Sequence, residues 1–157
     1  MTADDPWGGY ARVVVEIVRH RLGILRVQAD PTGGVGRWPW DSPEPVHILT
    51  AWNPGDERPG DVANRARQAE LEADLTQLAP ARWPAYGTIP GTAQHDEGVA
   101  VQGLEAEQVR ALGARYGQDA VFEWTPDEWA IVGCRVSRRV AFGWSAATTL
   151  GVRRSMS

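Results

Sequence analysis

The fold class that this sequence predicts is an α+β (or α/β) two-layer sandwich, with two main helices on one face of a mixed, mostly antiparallel sheet. Three observations lead there. Short β-branched runs bounded by Gly and Pro recur along the chain, two longer segments carry apolar residues at helical spacing, and together they give the order β-β-β-α-β-β-α-β-β.

Tyr10 to Val18 is β-branched and fits a strand, although a helix over the same residues is an open alternative. Gly23 to Ala29 follows as its hairpin partner, and residues 30–45 are a loop dense in Gly and Pro. Val46 to Trp52 is the clearest strand, stopped by the Asn53-Pro54-Gly55 turn. Asp61 is the expected N-cap of a helix over residues 62–79, with Leu71, Leu75 and Leu78 at helical spacing and Pro80 ending it. Trp83 to Gly87 and Gly98 to Gln102 supply two more strands. A second helix from Glu105 to Tyr116 carries Val109, Leu112 and Tyr116 on one stripe and closes at Gly117. Gln118 to Trp124 and Trp129 to Cys134 form a hairpin around Thr125-Pro126-Asp127-Glu128, and Val140 to Trp144 is read as an added edge strand.

The 157 residues suit one domain, and 43% hydrophobic with 23% charged residues is the composition of a soluble globular protein. The longest apolar runs last only a few residues, and the acidic start lacks a secretory h-region, so the expected location is cytoplasmic, without a membrane partner. The sole cysteine, Cys134, excludes an intrachain disulfide and a Cys-rich zinc site, and it is read as buried and inert. All 16 basic residues are arginine, which removes lysine Schiff-base chemistry and the phosphate lysine of a P-loop. Residues 1–128 are net −9, whereas residues 129–157 hold five Arg and no acid. The chain thus divides into a domain over 1–134 and a basic extension over 135–157, whose Arg135, Arg138 and Arg139 could meet an acidic partner or a nucleic acid, or simply pair with the acidic body.

Asparagine occurs only at Asn53 and Asn64. A helix packing back on the strand before it sets its N-terminus beside that strand's C-terminal end, so the two amides should converge there. The unpaired N–H groups of the helix start, with Arg65 and Arg67 nearby, suit a phosphate or carboxylate. Trp52 alternates with Asn53 and is read as core. His95 and Glu97 share a strand face, but a third metal ligand such as His47 or His20 would have to come from elsewhere, so no metal site is assigned.

Thr50-Ala51-Trp52-Asn53-Pro54-Gly55, Asn64 with Leu71, Glu97 before Gly98-Val99, and Tyr116-Gly117-Gln118 with Ala120-Val121-Phe122 resemble the bacterial domain-of-unknown-function family 3293, over roughly residues 10–132. The resemblance implies no activity or cofactor. It marks Asn53, Asn64, Glu97 and Gln118 as the positions to watch, and the chain departs from it after Cys134.

The reading that assumes least is a small-molecule binding domain for a nucleotide-like or phosphorylated ligand, held by Asn53, Asn64, Arg67 and Gln118. The alternatives are a small hydrolase or transferase with Glu97 as acid and base, and an interaction module acting through the basic tail. Cofactor and substrate are not specified by the sequence.

Overall fold

The computed structural model describes residues 7–149. A four-residue helix α1 (Gly8–Ala11) leads into β1 (Val14–Arg19), β2 (Gly23–Asp30) and β3 (Val46–Leu49). Helix α2 (Asp61–Leu78) is followed by β4 (Ala81–Thr88) and β5 (His95–Gln102), and α3 (Ala106–Arg115) by β6 (Ala120–Trp124), β7 (Trp129–Gly133) and β8 (Arg139–Thr149).

These elements do not build a two-layer sandwich. The eight strands close into an antiparallel barrel in the order β1-β2-β8-β7-β6-β3-β5-β4, so both the α+β and the α/β assignments are corrected. The closure has two sources. β1 pairs with β4 as well as with its hairpin partner β2, for example Val15 opposite both Val27 and Gly87. β8 is not an edge: its first residues pair with β7 from Arg139 to Phe142, and its later ones with β2 from Gly143 to Thr149. Among the described residues every strand therefore has two neighbours and no edge is left unpaired.

Strand alternation divides the side chains into two apolar groups. Those pointing inward, including Val15, Ile17, Leu25, Val27, Ile48, Phe122, Trp124, Trp129 and Trp144, fill the barrel. Those pointing outward from β3, β5 and β6, such as Leu49, Val99, Val101 and Val121, pack under the helices against Leu71, Leu75, Val109 and Leu112. A helical layer thus exists, but it covers one side of a closed barrel.

Inward positions change size along the barrel axis. β4 places Trp83, Ala85 and Gly87 inside in that order, and β6, running the other way, places Ala120, Phe122 and Trp124. Bulky rings therefore collect at one end. There the β2–β3 loop adds Trp38 and Trp40, whose rings lie 5.1 and 6.0 Å from Trp124, and Trp40 lies 4.6 Å from Trp83. Arg19 Nη1 donates to the Pro39 carbonyl at 2.9 Å and the guanidinium stacks over Trp40, fixing the plug. The opposite end, where β4 and β6 carry Ala85, Gly87 and Ala120 inward, stays open.

Local differences from the sequence expectations follow from capping. Tyr10 lies in α1, so the first strand starts at Val14. Gly60, at φ 94°, is the N-cap of α2, and Asp61 is its first helical residue. The helix ends at Ala79 in the left-handed region, just before Pro80. Gly117, at φ 75°, closes α3, as its position after the apolar stripe predicts. No described helix is long and apolar enough to cross a membrane.

Candidate functional site

The open end of the barrel holds a cavity of about 250 Å³. Its floor is apolar, with Val15, Ile48, Ala85 and Phe122. Its rim is polar, contributed by the β3–α2 turn (Asn53, Asp56, Arg58), the start of β5 (Gln94, Asp96) and the approach to β6 (Gln118, Asp119). Tyr10 of α1 adds a ring packed edge-on against Phe122 at 6.2 Å.

Asn53 and Asn64 meet as their spacing predicts, and each completes the other. Asn64 Oδ1 accepts from the Asn53 backbone N–H at 2.9 Å, and Asn64 Nδ2 donates to Asn53 Oδ1 at 2.9 Å. This pair holds Asn53 at φ 46°, a conformation that Asn tolerates better than most residues. Asn64 is 2% exposed and does not line the cavity. Asn53 does, and its Nδ2 donates to Asp96 Oδ1 at 3.1 Å.

Arg67 is committed to the backbone. Its Nε donates to the Ala51 carbonyl at 3.0 Å and its Nη2 to the Tyr116 carbonyl, so it clasps the β3 turn to the end of α3. Arg65 is largely exposed and lies 3.9 Å from Glu97. Neither arginine lines the cavity.

Gln118 is held beside the Trp52 turn because Gly117 leaves room there: a Cβ at 117 would lie 2.6 Å from that of Pro54. Gln118 Nε2 donates to the carbonyls of Trp52 at 3.0 Å and Tyr116 at 3.4 Å, which fixes the orientation of its amide. Trp52 is buried, and its indole N–H has no partner among the described residues.

Glu97 faces away from the cavity. On β5 the inward set is Asp96, Gly98 and Ala100, and the outward set is Glu97, Val99 and Val101, so the neighbouring acid is the one in the site. In the sequence Asp96 lies between His95 and Glu97 and faces opposite to both, which leaves it out of the site candidates, although alternation from the buried Ala100 points to it. Burial raises its carboxyl somewhat, opposed by Arg58 and by hydrogen bonds from Asn53 and Gln94. Burial, with Asp119 and Asp96 nearby, raises the Tyr10 phenol to about 12. Tyr10, Arg58 and Asp119 likewise carry no local motif that would single them out.

The remaining candidates lie elsewhere. His47 points out of β3 and meets Glu123 Oε2 at 3.1 Å, while His95 stacks on Tyr86 at 5.1 Å. Among the described residues, no three His, Cys, Asp or Glu side chains group so as to hold a metal ion. Cys134 is buried beneath Gly113, and desolvation lifts its thiol to about 11. Arg138 stacks over Trp7 at 4.4 Å, Arg139 pairs with Glu123 and Glu128, and Arg135 is exposed. Arg153 and Arg154 lie outside the described residues.

Fold and site together define a small closed β-barrel, plugged by tryptophans at one end and carrying a polar-rimmed cavity at the other. Residues 49–121 match the model of the family described as "Protein of unknown function (DUF3293)", so the family resemblance holds over this segment, which is shorter than the span suggested by the motifs. It contains Asn53, Asn64, Asp96 and Gln118. No curated protein and no solved structure matches the chain.

Proposed function

We propose that this protein binds a small molecule in the open end of its barrel. One observation carries the reading: toward that end the inward positions of β4, β5 and β6 include the small residues Ala85, Gly87, Gly98 and Ala120, leaving a 250 Å³ space with an apolar floor and a polar rim. Eight-stranded barrels have an interior wide enough for side chains or for one small ligand, and here the two uses divide between the two ends. The Asn64–Asn53–Asp96 hydrogen bonds support it further, since they hold a carboxylate at the rim without relying on a mobile side chain.

The phosphorylated ligand expected from Arg67 and the start of α2 draws no support from the lining, where carboxylates predominate and Arg67 is absent. An acid-base role for Glu97 draws none either, because Glu97 is not part of the wall.

The test is native mass spectrometry and thermal-shift screening against amines, amino acids, nucleosides, sugars and sugar phosphates, on the wild type and on Gly87→Leu. A Cβ at Gly87 meets only Val13, at an ordinary 3.5 Å, so Leu can enter the cavity without disturbing the backbone. Compounds that stabilise the wild type and not Gly87→Leu support the reading. Equal stabilisation of both proteins, or no hit in any class, contradicts it.

A further inference from the structure

The chemistry of the rim narrows the class of ligand, an argument that rests on the cavity being a binding site. Three carboxylates line it, Asp56, Asp96 and Asp119, against the one guanidinium of Arg58. Arg58 is partly engaged by its own loop, its Nη1 donating to the Glu57 carbonyl at 2.8 Å and more weakly to that of Gly55. The rim therefore carries excess negative charge.

A second, independent observation concerns Gln118, which is 6% exposed and part of the wall. Its Nε2 faces the Trp52 and Tyr116 carbonyls, so its Oε1 is the free end of the amide, and no donor among the described residues serves it. The residue is mostly buried while this oxygen still reaches the open side of the wall, so it is an acceptor that a ligand or water can meet with a proton donor. Asp96 also has accepting capacity to spare, since its carboxylate receives one bond from Asn53 and a longer one, 3.4 Å, from Gln94. The wall thus offers mainly acceptors and negative charge above an apolar floor, with the Arg58 guanidinium and the Trp52 indole N–H among its donors.

We propose that the cavity takes a small molecule bearing a protonated amine on an apolar or aromatic body, the amine meeting Asp96, Asp119 and Gln118 and the body lying against Phe122. An ammonium group brings three donors and no acceptor, which complements this rim. A carboxylate or phosphate in the same place would bring like charge to Asp96 and Asp119. A neutral apolar molecule would bury Gln118 Oε1 without a donor.

The test uses three probes with one ring and different heads: phenethylamine, 2-phenylethanol and phenylacetate, titrated calorimetrically into the wild type, Asp96→Asn, Asp119→Asn and Gly87→Leu. The expected order places phenethylamine about ten-fold tighter than the alcohol, with phenylacetate weakest. The amine preference should shrink to about three-fold or less in Asp96→Asn. Asp119 is exposed, so Asp119→Asn should fold normally, and it gives an independent reading of the same charge effect. If the probes bind wild type but not Gly87→Leu and show no amine preference, or prefer the acid, the cationic class is overturned while the cavity stands as a site. The same holds if none of the three binds and the broader screen finds a cavity ligand of another charge. If binding survives in Gly87→Leu, both the class and the site are overturned.

Discussion

Asn53 and Asn64 are joined by two hydrogen bonds, each 2.9 Å long, one from the backbone N–H of Asn53 and one between the side chains. The pair ties the turn after β3 to the first turn of α2. Asn53 then passes the constraint on to Asp96 at the rim of the cavity.

Replacing Asn64 by Ala should therefore act on stability and on the site together. It leaves a half-buried N–H and the Asn53 amide without their partner, at a cost of about 2–3 kcal/mol. Urea denaturation reads that cost. Affinity for any cavity ligand should fall as well, because Asn53 no longer fixes Asp96. A variant with wild-type stability and affinity would show that the pair is incidental.

Arg67 is a clasp between Ala51 and Tyr116, not a ligand-binding cation. A lysine keeps the charge but cannot offer two donors in the guanidinium plane, so Arg67→Lys should lose about 1–2 kcal/mol of stability. Once that loss is allowed for by working at a temperature where the variant is folded, ligand affinity should be unchanged. A large affinity loss in the folded variant would place Arg67 in binding after all.

Much of the element order is legible in the sequence, and the closure is not. The Gly/Pro breaks mark both long helices and most strands. Which strands pair beyond their hairpins depends on residues far apart in the chain, such as Ile17 opposite Ala85 and Val27 opposite Ala146. β8 illustrates the difficulty: its outward residues Ala141, Gly143, Ser145 and Ala147 have no strong polarity, so the run past Trp144 does not announce a strand. At the site, the scarcity of Asn and its helical spacing correctly bring Asn53 and Asn64 together. Glu97 lies on the outer face of β5 and Asp96 on the inner one, and choosing between them requires knowing which face of β5 is interior. Only the barrel settles that, and a one-residue shift along a strand reverses the facing.

Glu123 makes stability depend on pH at the acid end. The His47 hydrogen bond lowers its carboxyl most, with Arg139 assisting against burial, from the ordinary 4.5 to about 2. A depressed folded value means that the stabilisation is complete above the unfolded value near 4.5 and is lost as pH falls toward 2. Allowing for solvent screening around Arg139, the loss should be on the order of 2 kcal/mol. Glu123→Gln should be less stable than wild type at neutral pH and should lack this part of the acid loss. Parallel stability curves for the two proteins between pH 5 and pH 2 would contradict the assignment.

The tryptophan plug predicts a large effect far from the cavity. Trp124 is fully buried, with the rings of Trp38, Trp144 and Trp129 within 5.1, 5.0 and 5.9 Å. Trp124→Ala should cost about 3–5 kcal/mol and shift tryptophan emission to the red as water reaches the remaining rings. A loss below about 1 kcal/mol would mean that the loop carrying Trp38 and Trp40 does not close that end.

The most direct test of the central claim is to map a bound compound by amide and side-chain chemical shifts in the isotopically labelled protein, using phenethylamine or the best compound of the screen. Saturable shifts are expected at Tyr10, Asn53, Asp96, Gln118 and Phe122, with the Trp38 and Trp40 signals unmoved. Saturable shifts confined to the tryptophan end or to Arg135–Arg139, with the rim unchanged, would contradict it.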